Sequence, residues 1–252
     1  MFSFDGKVAM ITGSTTGIGN AIARQFLSHG GKVVIHGYKK TVEDEAMITD
    51  LLEEGHDVLL VDGDVTIKKD VEKMMGKIEE HFGHIDILVN NVGAFVKKAK
   101  FEDIEEDDWE RIIAVNLKSV FLVTQAALPL IKKQGEGRII NITSNVERTG
   151  GTPEGAAYAA AKGGVSSLTR SLAKQMVAHN ILVNAVSPGL IDTPFHNSSA
   201  PLDSYEHIFS NIPLKRSGTA DEIAGAVLYL ASPYSSYVVG ETIEVSGGRR
   251  IS

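Results

Sequence analysis

The sequence predicts one α/β domain built on a doubly wound parallel sheet of about seven strands. Three observations carry this expectation. Seven short runs are nearly all apolar and rich in Val and Ile, and continuous rather than alternating apolarity marks strands buried on both faces. Longer stretches between them place apolar residues at helical spacing. The 252 residues contain no proline- or serine-rich linker, and an α/β chain of that length often runs as one domain, here 1–252.

The elements follow in order. A first strand is expected at 7–12. The helix after it, 18–28, carries Ile18, Ile22, Phe26 and Leu27 on one face. Strands at 32–37 and 57–61 come next. A helix over 71–82 lines up Val71, Met74, Met75, Ile78 and Phe82. After a strand at 86–90, the stretch 107–132 reads as two helices meeting near Asn116. A strand at 138–143, a helix over 156–179, a strand at 182–187, a helix over 221–230 and a strand at 242–245 complete the set. Strand–helix–strand repetition with short connections implies right-handed crossovers. Residues 194–218 break the pattern: Pro194, Pro201 and Pro213, clustered serines and no period. A long insertion after a strand's carboxyl end reads as a substrate lid.

Composition narrows the function classes. The net charge of −7 repels a polyanion, so no nucleic-acid partner is expected. The absence of cysteine excludes disulfides, a thiol nucleophile and thiolate zinc sites. No H-E-x-x-H occurs, and His81 and His84 have no third ligand in view, so no metal is expected. The acidic run from Glu102 to Asp108 suits a helix start, and Trp109 reads as a core anchor. The start of the chain lacks a basic region followed by an apolar one. The most apolar stretch, 119–131, is interrupted by Thr124, Gln125 and Pro129, short of the ~20 residues a membrane span needs. A cytoplasmic protein with no membrane partner is the expectation.

Two constellations bear chemistry. Thr12-Gly13-Ser14-Thr15-Thr16-Gly17-Ile18-Gly19 follows the first strand and opens the first helix. Its glycines let the backbone approach a diphosphate whose charge rests on free N–H groups at the helix start. Tyr158 and Lys162 lie four apart on a helix and so share a face. An ammonium beside a phenol lowers its pKa from ~10, which suits exchange of a proton with a substrate oxygen. Ser144, at the end of the fifth strand, is placed to reach the same oxygen.

With Asp64-Val65 after the third strand, Asn90-Asn91-Val92-Gly93 ending the fourth, Asn116, Ser187-Pro188-Gly189, Thr193 and the terminal Glu244-Val245-Ser246-Gly247-Gly248, the chain resembles the short-chain dehydrogenase/reductase family over nearly its whole length. The resemblance implies a Rossmann-like fold, with Tyr158 as general acid/base and Lys162 holding the nicotinamide ribose. Ser144 would orient the substrate oxygen, and Asn116 would hold a water in a proton relay. It places the cofactor along Gly13, Ser14, Thr15, Thr16, Gly17, Ile18 and Gly19, at the adenosine end against Gly37, Tyr38, Lys39, Asp64 and Val65, and then along Asn90, Val92 and Gly93. Pro188, Gly189, Ile191 and Thr193 would close the nicotinamide end, Thr193 on the carboxamide. Val92 and Thr143 depart from the usual alanine and serine without removing a needed polar group. Asn116 could instead satisfy backbone groups at a helix break, and Asp64 could be a cap.

The function expected is hydride transfer between a nicotinamide cofactor and an alcohol/carbonyl pair, as an NADPH-dependent ketone or 3-oxoacyl reductase. The alternatives are an NAD-linked sugar or polyol dehydrogenase and, from another class, a non-catalytic nucleotide sensor. NADP is favoured because Gly37 supplies no carboxylate to repel a 2′-phosphate and Lys39 and Lys40 follow it. Substrate contacts are expected from Ser144, Phe95, Val146, Phe195 and His196, with Glu147 a further candidate. The helices 116–132 and 156–179 and the C-terminal region imply a homotetramer by the same resemblance.

Overall fold

The computed structural model describes residues 2–193 and 209–249. Its strands are β1 (Val8–Ile11), β2 (Lys32–Gly37), β3 (Val58–Asp62), β4 (Ile87–Asn90), β5 (Gly137–Ile142), β6 (Ile181–Pro188) and β7 (Thr242–Val245). All pair in parallel in one sheet of order β3-β2-β1-β4-β5-β6-β7. Every expected strand is present, with no end displaced by more than one residue. The strands are legible because both faces are covered. From β1 the chain winds out to β3, then returns to lay β4 on the other side of β1. This reversal leaves a crevice at the carboxyl ends of β1 and β4, where open α/β sheets bind ligands.

The helices are α1 (Gly17–Ser28), α2 (Val42–Glu53), α3 (Lys68–Phe82), α4 (Glu106–Ile113), α5 (Ser119–Lys132), α6 (Val146–Thr149), α7 (Ala156–Met176) and α8 (Ala220–Ala231). On one face, Ile22, Phe26 and Leu27 of α1 pack with Ile223, Val227 and Leu228 of α8. On the other, Met74 and Ile78 of α3, Val123 and Ile131 of α5, and Ala173 of α7 form a second core. Helix α2 is absent from the sequence-based expectation because Leu51 is its one buried residue. The signal that reveals it is a capping box, Thr41 with Asp44.

Three expectations are corrected here, and a fourth falls in part outside the described residues. The stretch over 107–132 does not break into two helices. A π turn, Ala114–Lys118, joins α4 to α5 without interruption. The buried Asn116 amide donates to the Ile112 carbonyl within it, and such bulges gather at functional sites. Because the helix is continuous, Glu106–Lys132 is long and apolar enough to cross a membrane by length and composition. Here Val120, Val123, Ala127 and Ile131 are buried within the fold, as in a core helix. Trp109 is not a core anchor, being 38% exposed. Of the expected lid, 194–208, which includes Phe195 and His196, lies outside the described residues. Its last part is anchored, with Ile212 buried and Gly218 bridged to Ile191.

Phe26 is fully buried and meets Phe4 edge-on at 4.7 Å between ring centroids. Phe26→Ala is expected to cost about 3–5 kcal/mol in urea unfolding, from lost burial and the cavity left behind. A loss below about 1 kcal/mol would contradict the packing described.

Candidate active site

The ends of β1 and β4 are stitched together. The Asn91 side-chain amide donates to the carbonyls of Thr12 and Gly13 at 2.9 and 3.0 Å. The Asn91 and Val92 backbone N–H groups donate to the Thr12 hydroxyl. Around this seam opens a cleft of about 800 Å³, bounded by Asp64 at one end and Tyr158 at the other.

The glycine turn forms the floor of the first half. Gly13 and Gly17 have φ of +61° and +56°, a region other residues avoid. Gly19 is required by contact, since a Cβ there would lie 2.2 Å from the Gly13 carbonyl oxygen. As at α3 to α7, no side chain caps α1. The amides of its first turn are left without a side-chain partner. Gly13, Thr15, Thr16, Gly17 and Ile18 line the cleft. Ser14 and Gly19 do not, contrary to expectation. Ser14 lies behind the turn, its hydroxyl donating to the Ile11 carbonyl and accepting the His36 N–H.

His36 was not anticipated as a site residue. It is the buried polar side chain of an apolar strand, and it joins the glycine turn to the loop after β3. Its Nδ1 accepts the Gly13 N–H at 2.9 Å, so its proton is on Nε2, which donates to the Gly63 carbonyl at 3.1 Å. Burial lowers its pKa, against opposing contributions from the Gly63 bond, Asp62 and Asp64. Beside it Gly37 and Tyr38 line the cleft, but Lys39 does not. The Lys39 ammonium lies 5.4 Å from the Tyr38 ring centroid, and Lys40 pairs with Glu45.

Asp64 and Val65 line the cleft. The Asp64 carboxylate accepts the N–H and hydroxyl of Thr66, at 2.9 and 2.6 Å, so it also caps a turn. Burial alone would raise its pKa; the Thr66 bonds and the Arg111 charge outweigh this and lower it. Arg111, 3.6 Å from Asp64, also lines the cleft. Within a run of acidic residues it gave no sequence signal.

At the other end, Val92 and Gly93 line the cleft, and Asn90 does not. Alternation along β4 turns Asn90 inward, where it donates to Thr124 and Asn141, and Asn141 in turn donates to Thr169. Asn116 is fully buried and its side chain is spent on backbone. Its Oδ1 accepts the Ala94 N–H, and its amide donates to the carbonyls of Ala94 and Ile112. The side chain therefore satisfies backbone groups, as the alternative reading held, but from within a continuous helix and bracing the loop after β4.

Tyr158, Lys162 and Ser144 converge on the cleft. The Tyr158 ring is buried beside Phe95, with centroids 4.5 Å apart. The expectation that Lys162 depresses the phenol's pKa is corrected: burial pushes it up, and the hydrogen bond with Ser144 opposes this only in part. The Lys162 ammonium lies 5.8 Å from the centre of the tyrosine ring and donates to the Ile142 carbonyl at 2.8 Å. Burial lowers its pKa to about 8, and the Glu147 charge opposes that fall. Phe95 and Val146 line the cleft next to this group, and Pro188, Gly189, Ile191 and Thr193 close it. Glu147 does not line it.

Three comparisons bear on this arrangement. Residues 13–250 match the family model described as enoyl-(acyl carrier protein) reductase. The chain is 38% identical over 245 residues to the 3-oxoacyl-[acyl-carrier-protein] reductase FabG of Thermotoga maritima, covering 97% of this chain and 98% of that one. It is 37% identical to the 3alpha-hydroxysteroid dehydrogenase of Mediterraneibacter gnavus, covering 97% of both. The crystal structure of a putative gluconate dehydrogenase from Agrobacterium tumefaciens superposes with a TM-score of 0.92 at 30% identity, covering 98% and 97% of the two chains.

His36 also makes stability depend on pH. Its folded-state pKa is lowered, while the unfolded chain takes the proton near ~6.5. The contribution is present above that value and lost as pH falls through it towards the folded pKa. In urea titrations of wild type and His36→Gln, the stability gap is expected to narrow from pH 7.5 to pH 5. A constant gap would contradict the neutral, buried imidazole.

Proposed function

The chain belongs to the short-chain dehydrogenase/reductase family, and we propose that within it the protein is an NADPH-preferring reductase of ketone or 3-oxoacyl groups. At the coarser level it is an NAD(P)-dependent oxidoreductase acting on CH–OH groups. One observation carries the proposal. A buried tyrosine, hydrogen-bonded to Ser144 and one helical turn from a buried lysine, shares a cleft with an uncapped glycine turn.

The residues present fit a nicotinamide dinucleotide. The turn has no room for a Cβ at Gly19, and the amides opening α1 suit a diphosphate. Gly13, Thr15, Thr16, Gly17 and Ile18 would hold it, with Asp64 and Val65 at the adenine and Thr193 at the carboxamide. When bound, the cofactor supplies the hydride for the carbonyl carbon. The chain supplies the rest. Ser144 and Tyr158, bonded to each other, present two hydroxyls to one substrate oxygen. A phenol with a raised pKa keeps its proton at neutral pH and donates it as that oxygen gains charge. Lys162, with a pKa of about 8, is mostly an ammonium at pH 7 and offsets the charge left on the phenolate. Phe95 and Val146 provide an apolar wall. The Asn116 side chain shapes the loop after β4, so any relay water would be met by the backbone of the π turn.

A second reading, a dehydrogenase of sugars or polyols, is favoured by the polar lining that Asn145, Thr149 and Thr152 add to the cleft. The substrate is in either case a small molecule with an alcohol or carbonyl. The proposed assembly is a cytoplasmic homotetramer, a reading supported by exposed Phe121 on α5 and by exposed Tyr237 and Val239 ahead of the edge strand β7.

Tyr158→Phe keeps the ring and removes the proton. Turnover is expected to fall by about 10²–10⁴-fold while cofactor binding survives, and a variant with near-normal kcat would refute the mechanism. The preference for NADP rests on Gly37 and Lys39. The expected result is a lower KM for NADPH than for NADH, and a shift towards NADH in Gly37→Asp. A Cβ at Gly37 meets the Thr15 methyl at 3.2 Å, a side chain able to give. An equal or higher kcat/KM with NADH in the unmodified protein would show that Lys39 does not reach the phosphate.

A further inference from the structure

Behind the catalytic pair lies a buried carboxylate that the mechanism above does not use. Glu147 sits on α6, three residues after Ser144, with its side chain 4% exposed. It points away from the cleft and accepts a hydrogen bond from the Ser166 hydroxyl of α7. Tyr158, Lys162 and Ser166 succeed one another at four-residue steps, so they share one face of α7. Glu147 is therefore anchored one helical turn beyond Lys162, on the side opposite Tyr158. A carboxylate so buried needs a counter-charge. The Arg148 guanidinium, 3.5 Å away but 46% exposed, supplies a solvent-weakened one.

Lys162 is in the complementary position. Tyr158 faces it from its own helix, the Ile142 carbonyl from β5, and the Asn116 carboxamide oxygen from the π turn, across Gly93. Glu147 from α6 brings the charge of opposite sign. Among the described residues it is the charged group that acts against the loss of the Lys162 proton.

We propose that Glu147 is a positioning residue for the reaction: anchored by Ser166, its buried carboxylate supplies Lys162 with a counter-charge one helical turn away and clamps the Ser144-bearing segment onto α7. This rests on reading Tyr158 and Lys162 as the acid/base pair. It adds a charge that the sequence motif of the pair does not contain.

Two readouts test it on the intact protein. The first is the pH dependence of kcat/KM for reduction of a ketone with NADPH. The second, which needs no turnover, is the reactivity of the Lys162 amine towards acetic anhydride against pH, followed by mass spectrometry. Glu147→Gln keeps the size and the means of bonding Ser166 but removes the charge. In it the labelling curve and the alkaline limb of the rate profile are expected to move to lower pH by about one pH unit. Glu147→Asp, which restores the charge, is expected to return both towards wild type. Ser166→Ala, which removes the anchor and keeps the charge, is expected to move them far less than Glu147→Gln. Unchanged curves in Glu147→Gln would overturn the proposal. So would a shift in Ser166→Ala as large as that in Glu147→Gln, because both curves would then report packing. A wild-type protein that reduces no ketone would count against the reductase reading, and the labelling curves would still decide the role of Glu147.

Discussion

The site depends on how closely the ends of β1 and β4 approach each other. The Asn91 side chain bonds both Thr12 and Gly13, and Gly19 packs so tightly under the turn that a Cβ would strike the Gly13 carbonyl. Wider spacing would lose those part-buried bonds. The seam sets the width of the crevice, and the crevice sets where a dinucleotide can lie. His36 extends the constraint sideways by bridging the glycine turn to the loop after β3. The Gly13 amide is thereby committed to the protein, and the amides at the start of α1 remain for an anion.

The catalytic end is governed by burial more than by the spacing of its charges. Taken alone, a phenol four residues from an ammonium reads as an acidified phenol. In the fold, desolvation acts on both groups in opposite senses, raising Tyr158 and lowering Lys162. What opposes each shift differs: the hydrogen bond with Ser144 at the tyrosine and the Glu147 charge at the lysine. The result suits proton donation to a carbonyl: an acid that holds its proton at neutral pH, beside an amine still charged there. It also gives weight to a third charge, Glu147, placed where low solvent exposure weakens screening.

Much of this was legible in the sequence for physical reasons. Strands covered on both faces must be apolar throughout, so all seven were visible. Tyr158, Lys162 and Ser144 were found because four-residue spacing and a strand end fix their directions. What failed depends on facts the sequence does not carry. Whether Asn90 or its neighbour Asn91 faces the cleft depends on strand register, and they take opposite roles. Helix α2 hides because it buries little besides Leu51. Asn116 was expected at a break between helices, whereas its inward amide sits in a π turn of one continuous helix. Glu147 reads from the sequence as a pocket residue, because a four-residue helix turning it towards α7 leaves no periodic trace. Two signals went unused: the Thr41 and Asp44 capping box of α2, and His36 as a polar residue midway in an apolar run.

In the proposed mechanism the glycine turn and the Tyr158 group form one working cleft, in which the cofactor's hydride reaches the substrate carbon and the proton arrives separately through the phenol. Reduction of a ketone in ordinary water with NADPH deuterated at nicotinamide C4, in the position transferred, tests it most directly. One deuterium is expected on the new carbinol carbon, and none there when deuterated water and unlabelled NADPH are used instead. Label entering that carbon from the solvent, or reduction without transfer from the cofactor, would contradict it.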